Sequence, residues 1–151
     1  MTSTTTESLT WLIDRAQVHD LLLAYARCVD TKDWDSLADL FAPEGEMVTP
    51  FGSIGHDQLA RAIESMLRPF GATHHMFANI GIEIDGNIAR SNHYLQATHL
   101  PDPTVTGAHA VIGGWYNNTY RRTDNGWRFV TIDLSFVWSD GMPFEPGDPH
   151  P

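Results

Sequence analysis

The sequence predicts an α+β domain in which helices pack on one face of a curved, mostly antiparallel sheet. Three observations indicate this class: apolar residues recur at helical spacing in the first part of the chain, they alternate in the second part, and turn signals divide the alternating stretches. Helices that precede a run of antiparallel strands are typical of such domains. The 151 residues suffice for one domain with a sizeable core.

The first helix has the most regular pattern in the sequence. Apolar residues recur at helical spacing from Leu9 to Val29, which predicts a long amphipathic helix. Residues 1–8 before it contain no basic region and no long apolar stretch, so we expect a disordered lead-in and not a secretory signal.

Two shorter helices are predicted further along the chain. Asp33 or Asp35 can cap the second helix. Its apolar residues are Trp34, Leu37, Leu40 and Phe41. The segment "MVTPFGSIG" then predicts a short strand and a turn, and "HDQLARAIESMLRPF" predicts the third helix.

The rest of the chain alternates as strands do. The sequence "DGN" at residues 85–87 and Asn-Gly at residues 125–126 predict hairpin turns between long strands, of which we expect about four. Residues 139–151 are rich in Gly and Pro and are expected to form an irregular tail. The domain itself is predicted to span residues 9–138.

The balance of charge narrows the classes of partner. Lys and Arg number 9 against 19 Asp and Glu, which gives a net charge of −10 with His neutral. Such a surface repels phosphate backbones and anionic lipid, so we expect neither nucleic acid nor a membrane as a partner. Cys28 is the only cysteine and lies in an apolar helical run, which favours a cytoplasmic location and a buried small residue over a catalytic thiol.

Asp30 raises the question of chemistry, because it ends the apolar stripe of the first helix five residues after Tyr25. Little more than one helical turn separates the two side chains, so both can point toward the same region. The carboxylate is either a cap for the second helix or a group kept for chemistry. His74 and His75 enter the first long strand, where a histidine is either a satisfied structural residue or a functional one.

Polar and aromatic residues also share faces of the predicted strands. Alternation groups Asn92, Tyr94 and Gln96 on one strand, and Trp115, Asn117 and Thr119 on another. If these faces converge, they enclose a mostly apolar pocket with a few polar groups, which is the usual anatomy of a small-molecule site.

No motif for a metal or a cofactor stands out. The 8 histidines form neither a helical HExxH nor a Cys/His zinc spacing. We found no Gly-rich phosphate loop and no GxSxG elbow. We therefore expect no metal and no cofactor, with three histidines from different strands as the remaining alternative.

Three segments together carry a resemblance to a known family. They are "VHDLLLAYARCVDTKDWDSLADLFAPEGEM", "THHMFANIGIEIDGNIARS" and "GGWYNNTYRRTDNGWRF". In order and spacing they resemble the SnoaL-like family of the nuclear transport factor 2-like superfamily, over roughly Leu9 to Trp138. The resemblance implies a cone-shaped α+β barrel, a fold that hosts many chemistries and also non-enzymes.

Within that family the chain looks most similar to relatives of scytalone dehydratase, hexachlorocyclohexane dehydrochlorinase and bile-acid dehydratase. In these, an Asp at the end of the first helix orients a His at the start of a barrel strand, and the His acts as general base. The resemblance assigns these positions to Asp30 and His75, and it assigns Tyr25 to a Tyr that some dehydratases carry. His75 is preferred because family members tend to show His, three residues, then Asn, here Asn79. Strict alternation groups His75 with Asn79 and Glu83, and His74 with Ile80 and Ile82. A bulge would swap these faces, so spacing does not decide between the two histidines and His74 is the fallback.

The resemblance implies a cofactor-independent lyase or isomerase that acts on a small hydrophobic cyclic substrate, with proton abstraction by His75 oriented by Asp30. Dehydration is the favoured reaction, and polyketide-type cyclisation by aldol chemistry comes next. Epoxide hydrolysis would need an Asp–Arg–Asp set, for which Asp133 is the only late-strand acid to consider. The alternatives from other classes are a non-catalytic ligand-binding module and the small subunit of a ring-hydroxylating oxygenase.

The expected substrate pocket is mostly aromatic. Its predicted walls are Trp34, Phe41, Met47, Phe51, Phe77, Asn79, Tyr94, Trp115 and Phe136. A second catalytic histidine stays open between His93, His99 and His109. The aromatic-rich strands also predict a homodimer or homotrimer formed through the exposed sheet face, and the Pro-rich tail is a candidate lid.

Overall fold

Helices precede strands along the chain, as the sequence predicts. The computed structural model describes residues 2–104, 107 and 109–141, with side chains from residue 6 onward. Within these ranges the elements are α1 (Thr2–Thr31), α2 (Trp34–Asp39), β1 (Phe41–Thr49), β2 (Gly52–Gly55), α3 (His56–Leu67), β3 (Ala72–Asp85), β4 (Ile88–Leu100), β5 (Ala110–Thr123) and β6 (Gly126–Asp140). The α+β class is confirmed, and β3 to β6 are the long antiparallel strands expected from the alternating pattern.

The strands of the described residues form one curved sheet in the order β2-β1-β6-β5-β4-β3. Neighbours are antiparallel except β1 and β6, which run parallel. Both predicted hairpin turns are confirmed: Gly86, with a φ of 59°, lies between β3 and β4, and Gly126, with a φ of 92°, lies at the start of β6. Glycine suits both positions because it adopts a positive φ without steric strain.

The two faces of the sheet differ in burial. Along β4, Ser91, His93 and Leu95 are buried, whereas Asn92 and Tyr94 between them are exposed. This alternation is expected when one face packs on a core and the other faces outward. The helices and the inner face enclose the core, whose most buried side chains include Val18, Leu22, Leu37, Leu59, Tyr120, Phe129 and Ile132.

Helix α1 is longer than the sequence analysis expected. It begins at Thr2, so residues 2–8 of the disordered lead-in expected over residues 1–8 are helical. Neither proline nor glycine occurs in residues 2–31, so nothing in that stretch stops the helix from extending toward the N-terminus. Leu9 and Leu12 in this first part are exposed. No helix among the described residues is both long and apolar enough to cross a membrane.

Phe41 was expected in the second helix, but it begins β1. The Phe129 backbone N–H donates to the Leu40 carbonyl at 2.9 Å, which draws the chain alongside β6 directly after α2. The Phe41 ring then packs 5.2 Å from the Phe129 ring. Tertiary pairing therefore overrides the helical spacing that placed Phe41 with Trp34.

Strand β6 extends to Asp140, beyond the domain end predicted at residue 138. Its last residue lies opposite Val111 of β5, so the sheet continues into the segment that was expected to be irregular. Residues 142–151, which make up most of the predicted tail and include the candidate lid, lie outside the described residues.

An ion pair fixes α1 to the β5–β6 hairpin. Two guanidinium N–H groups of Arg122 donate to the buried carboxylate of Asp14, at 2.6 and 2.5 Å, and Trp127 Nε1 donates at 3.3 Å. The hydrogen bonds from Arg122 lower the pKa of Asp14, against the opposing effect of burial. A bidentate pair of this kind constrains direction as well as distance, so it sets how α1 crosses the sheet.

Candidate active site

Asp30, in the last turn of α1, faces the start of β3. Its Oδ1 accepts hydrogen bonds from Thr73 Oγ1 at 2.9 Å and from His75 Nδ1 at 2.7 Å. Its Oδ2 accepts a third from the His75 backbone N–H at 2.9 Å. The cap of α2 is Asp33, whose side chain accepts from the Ser36 backbone N–H at 3.2 Å. Asp30 is therefore held by β3 and does not cap the second helix.

The chain turns sharply just after Asp30. Lys32 adopts a φ of 61°, and the Asp33 backbone N–H donates to the Cys28 carbonyl at 2.9 Å, which ends α1. Lys32 Nζ donates to the Phe70 carbonyl at 2.6 Å. This contact holds the end of α1 against the segment that leads into β3, and so keeps the Asp30 carboxylate beside its donors.

The carboxylate stays ionised at neutral pH. Burial would raise the pKa of Asp30, but hydrogen bonds from the side chain and backbone of His75, the charge of His75 and the hydroxyl of Thr73 outweigh it and lower that pKa. An ionised carboxylate only accepts hydrogen bonds, so His75 Nδ1 carries the hydrogen between them. In the neutral imidazole, Nε2 then has a free lone pair, which is the arrangement of an oriented base.

A β-bulge in β3 distinguishes the two neighbouring histidines. The pairing with β4 shifts register between Ala78 and Gly81, and Asn79 within that interval has a φ of 53°. Ahead of the bulge the His75 side chain is only 8% exposed, whereas His74 is exposed. Of the two, His75 is therefore the one that pairs with Asp30.

Tyr25 is buried in a cluster of aromatic rings on the inner side of the sheet. The rings of Phe41, Phe77, Tyr116 and Phe129 lie 5.8 to 6.5 Å from its ring centre. Burial raises the pKa of Tyr25 to about 12, against a smaller lowering by a hydrogen bond with Tyr116. The phenol therefore remains protonated at neutral pH and can donate a hydrogen bond.

His99 is the one of the three remaining candidate histidines whose ring contacts His75. The two ring centres are 5.8 Å apart in an edge-on arrangement, and the Phe70 ring lies 4.8 Å from His99. Burial and the charge of His75 lower the pKa of His99 to about 4, although a hydrogen bond with the Ala110 backbone and the charge of Asp30 oppose this. His99 is therefore neutral beside the candidate base.

The other two candidates lie elsewhere. His109 is exposed just before β5. His93 is buried further along β4, with its ring centre 4.8 Å from that of Phe77 and 5.3 Å from that of Tyr116.

Five of the predicted wall residues lie on the core side of the sheet. Phe41 and Met47 are buried. Trp34, Phe77 and Phe136 are partly buried and pack against the same core cluster. The rings of Phe77 and Phe41 lie 6.4 and 6.5 Å from that of Tyr25, so these two adjoin the candidate catalytic Tyr25.

The other four predicted wall residues are exposed, and two of them, Tyr94 and Trp115, face away from the core. Tyr94 and Trp115, 43% and 42% exposed, face outward and pack edge-on against each other at 4.3 Å. Phe51 is 71% exposed between β1 and β2, and Asn79 is exposed in the bulge. The strand faces of Tyr94 and Trp115 do converge, but on the outside. Alternation tells which residues share a face and not which face is buried.

Thr73 was missed by the sequence analysis. It lies two residues before His75 on the same face of β3 and donates to the same carboxylate oxygen. Alternation would have found it once His75 was chosen, because residues two apart in a strand share a face.

Across residues 2–104, 107 and 109–141, no three His, Cys, Asp or Glu side chains cluster as a metal site would require. Cys28 is buried in α1, and burial raises the pKa of its thiol. It therefore matches the buried small residue that the sequence predicts.

Comparison with known sequences connects this geometry to a family. The profile of the SnoaL-like domain matches residues 11–133. An uncharacterised protein of Mycobacterium tuberculosis (strain ATCC 25618 / H37Rv) is 25% identical over 128 residues, which cover 82% of this chain and 85% of that protein.

Solved structures share the fold. A proposed scytalone dehydratase from Novosphingobium aromaticivorans has a TM-score of 0.82 at 22% identity, covering 94% of this chain and 96% of its own. A hexachlorocyclohexane dehydrochlorinase, LinA type 2, has a TM-score of 0.77 at 20% identity, covering 93% of this chain and 99% of its own. At such identities the likeness concerns the fold. The family itself follows from the profile, which matches the chain from α1 into β6: the protein belongs to the SnoaL-like domain family.

Proposed function

We propose that the protein is a cofactor-independent lyase, in the first instance a dehydratase, that acts on a small hydrophobic cyclic substrate. One observation carries the proposal: the Asp30 carboxylate accepts hydrogen bonds from both the side chain and the backbone of His75. Two proteins of the same fold are described as a proposed scytalone dehydratase and a dehydrochlorinase, which supports elimination chemistry by analogy.

His75 is the proposed general base. With its Nδ1–H donated to Asp30, its Nε2 can take a proton from a carbon next to a carbonyl group. The ionised carboxylate stabilises the imidazolium that forms. The electrons of the broken C–H bond then form a carbon–carbon double bond as the C–O bond breaks, and the leaving hydroxide takes up a proton to become water.

Tyr25 is the proposed hydrogen-bond or proton donor to the substrate. Its hydroxyl stays protonated, and its ring packs on that of Phe77, two residues beyond His75 on the same strand. From there it would donate a hydrogen bond to a developing oxyanion or a proton to the leaving hydroxide. The buried Phe41 and Met47 and the partly buried Phe136 supply apolar contacts suited to a cyclic hydrocarbon skeleton.

The test is an assay for dehydration of a panel of small cyclic β-hydroxy ketones. The reaction is monitored through the ultraviolet absorbance of the enone product. His75→Gln is compared with His74→Gln, which changes the exposed neighbour, and Asp30→Asn with Asp20→Asn on the same helix. We expect His75→Gln and Asp30→Asn to lower kcat/KM by at least roughly 100-fold, with little change in the two controls. An amide at residue 30 can donate to Nδ1, which favours the wrong tautomer.

A substrate that His75→Gln converts as fast as the native protein would remove His75 as the base. Turnover of no panel member would favour a ligand-binding module without catalysis. The cytoplasmic location and the homodimer or homotrimer expected from the sequence remain part of this proposal.

A further inference from the structure

Two buried polar side chains on the inner face have no assigned part in proton abstraction. His93 is 1% exposed and neither ring nitrogen has a hydrogen-bond partner among the described residues. Asn118 is 3% exposed and its Oδ1 likewise has none there. Buried polar groups are nearly always paired with protein, water or a ligand, because an unpaired one destabilises the fold. These two side chains are therefore candidates for binding a polar group that is not part of the chain.

His93 and Asn118 are close neighbours across the sheet. In the pairing of β4 with β5, His93 lies opposite Tyr116 and Ser91 lies opposite Asn118. The two residues are therefore diagonal neighbours on the inner face, with Cβ atoms roughly 7 Å apart. One polar atom placed between the two side chains can contact both.

The Asn118 amide is held in one orientation by a buried network. Its Nδ2 donates to the Tyr120 hydroxyl at 3.2 Å, and that hydroxyl lies 2.7 Å from Ser91 Oγ. With the amide nitrogen engaged at Tyr120, the carbonyl oxygen is left as a fixed acceptor. A fixed acceptor loses little conformational freedom when it binds a ligand.

The imidazole of His93 supplies the complementary donor. Burial lowers the pKa of His93 to about 4, so at neutral pH the ring has one N–H donor and one nitrogen acceptor. Its ring packs on Phe77 and Tyr116, both of which also contact Tyr25. His93 therefore adjoins the proposed site on the side away from the Asp30 carboxylate.

We propose that His93 and Asn118 form a polar subsite that binds a hydroxyl group on the substrate, at the end remote from the carbon that His75 deprotonates. A hydroxyl fits both partners because it accepts one hydrogen bond, from the imidazole N–H, and donates one, to Asn118 Oδ1. An ether oxygen accepts only and leaves Asn118 Oδ1 unpaired, so the subsite selects a free hydroxyl over its methyl ether. This inference rests on the proposed function for taking the inner face as the substrate site.

The experiment measures binding and not turnover. The Kd values of 2-naphthol, 2-methoxynaphthalene and naphthalene are determined by NMR titration of the ¹⁵N-labelled protein. In the native protein we expect 2-naphthol to bind about tenfold more tightly than its methyl ether, as one hydrogen bond gained or lost would give.

Two variants and one control test whether the preference for 2-naphthol over its methyl ether arises at His93 and Asn118. In His93→Phe and in Asn118→Leu we expect the preference for 2-naphthol to fall below about twofold. The Tm of His93→Phe should stay level or rise because a buried unpaired group is removed. Asn118→Leu also loses the buried hydrogen bond from Asn118 Nδ2 to the Tyr120 hydroxyl, so its Tm should fall. Asn117→Leu changes the adjacent residue of β5, which is exposed, and should keep the preference. Two variants at different residues keep the test valid if one of them does not fold.

Three results would overturn the subsite: equal binding of 2-naphthol and its ether to the native protein, a preference that survives in every folded variant, or no binding of any probe up to its solubility. The proposed function fails in a different experiment. If the protein prefers 2-naphthol but shows no coupling between His75 and Asp30, the proposed subsite stands and the proposed lyase activity is rejected.

Discussion

A single carboxylate determines the protonation of the candidate site. Asp30 is 22% exposed and receives one backbone and two side-chain hydrogen bonds from β3. Hydrogen bonds to a charged group are stronger than neutral ones, so they offset the loss of hydration that burial brings. The bond to His75 Nδ1 fixes the imidazole in one orientation and one tautomer, and the other two bonds hold the carboxylate in place.

Thr73 should contribute to stability through Asp30. Thr73→Val removes the hydroxyl that donates to the charged carboxylate, so we expect the free energy of unfolding to fall by about 1.5 kcal/mol. Urea unfolding at pH 7 measures it. Thr73→Ser keeps the hydroxyl and is the control. A Thr73→Val protein as stable as Thr73→Ser would show that the hydrogen bond from the Thr73 hydroxyl is unimportant.

The two buried histidines should make the fold sensitive to acid. Burial is the main cause that lowers the pKa values of His93 and His99 to about 4 from 6.5, so between these values the unfolded chain binds protons that the folded chain does not. The contribution of the two neutral histidines to the free energy of unfolding is therefore fully present above pH 6.5, and it is lost as the pH falls toward 4. At pH 5 we expect each histidine to lower the free energy of unfolding by about 2 kcal/mol relative to pH 7.

Urea unfolding at pH 7 and pH 5 checks this expectation. His93→Phe should reduce the loss of stability between the two pH values, whereas His74→Gln, at an exposed histidine, should leave it unchanged. Equal losses in the native protein and in His93→Phe would contradict the neutral, buried state of His93.

At the scale of elements, the bulge of β3 decides which histidine faces inward. Without the register shift between Ala78 and Gly81, every second residue of β3 would face inward along the whole strand, so residues seven apart would lie on opposite faces. With it, His75 and Ile82 both lie on the inner side although they are seven residues apart. A bulge of this kind aims a side chain at a site while the rest of the strand keeps its packing.

Asn79 should be sensitive to substitution for a backbone reason. Its φ of 53° is tolerated by Asn and Gly but strained for a β-branched residue. We expect Asn79→Val to lower the free energy of unfolding by about 2 kcal/mol relative to Asn79→Gly, as measured by urea unfolding. Equal stability of the two variants would mean that the positive φ is not required.

Local signals in the sequence predicted the elements well, and long-range contacts account for the failures. The helical spacing of α1, a cap at Asp33 or Asp35 and the two glycine turns are encoded within a few residues, so they could be predicted. The structure selects Asp33 as the cap. The outward placement of Tyr94 and Trp115 depends on which face of the sheet the helices cover. The strand position of Phe41 depends on pairing with β6, nearly ninety residues further along the chain. Asp30 and His75 were paired through the family resemblance, since no local signal joins them.

At the scale of the whole molecule, the outer face of the sheet has an apolar patch formed by Met76, Tyr94, Trp115, Val137 and Trp138. These side chains are 42% to 59% exposed. Trp138 lies over Gly113, where even a Cβ atom would come within 2.0 Å of its Nε1, so its ring packs flat on the sheet. Contiguous exposed apolar side chains of this kind commonly mark a protein interface.

We expect this patch to mediate the proposed homo-oligomer. Trp115→Glu places a charge at its centre and should convert the oligomer to the monomer mass of 16.9 kDa in light scattering at micromolar concentration. Leu12→Glu, at an exposed leucine of α1, is the control and should leave the mass unchanged. A native protein that already scatters as a monomer would contradict the expectation.

The coupling between Asp30 and His75 is the central claim, and an NMR titration of the histidine ring signals tests it most directly. The titration is recorded for the native protein, for Asp30→Asn and for Asp20→Asn as the control. We predict that the ring signals of His75 follow a different titration curve in Asp30→Asn and an unchanged one in Asp20→Asn. Histidine curves that are identical in the native protein and in Asp30→Asn would contradict the coupled pair and, with it, the proposed general base.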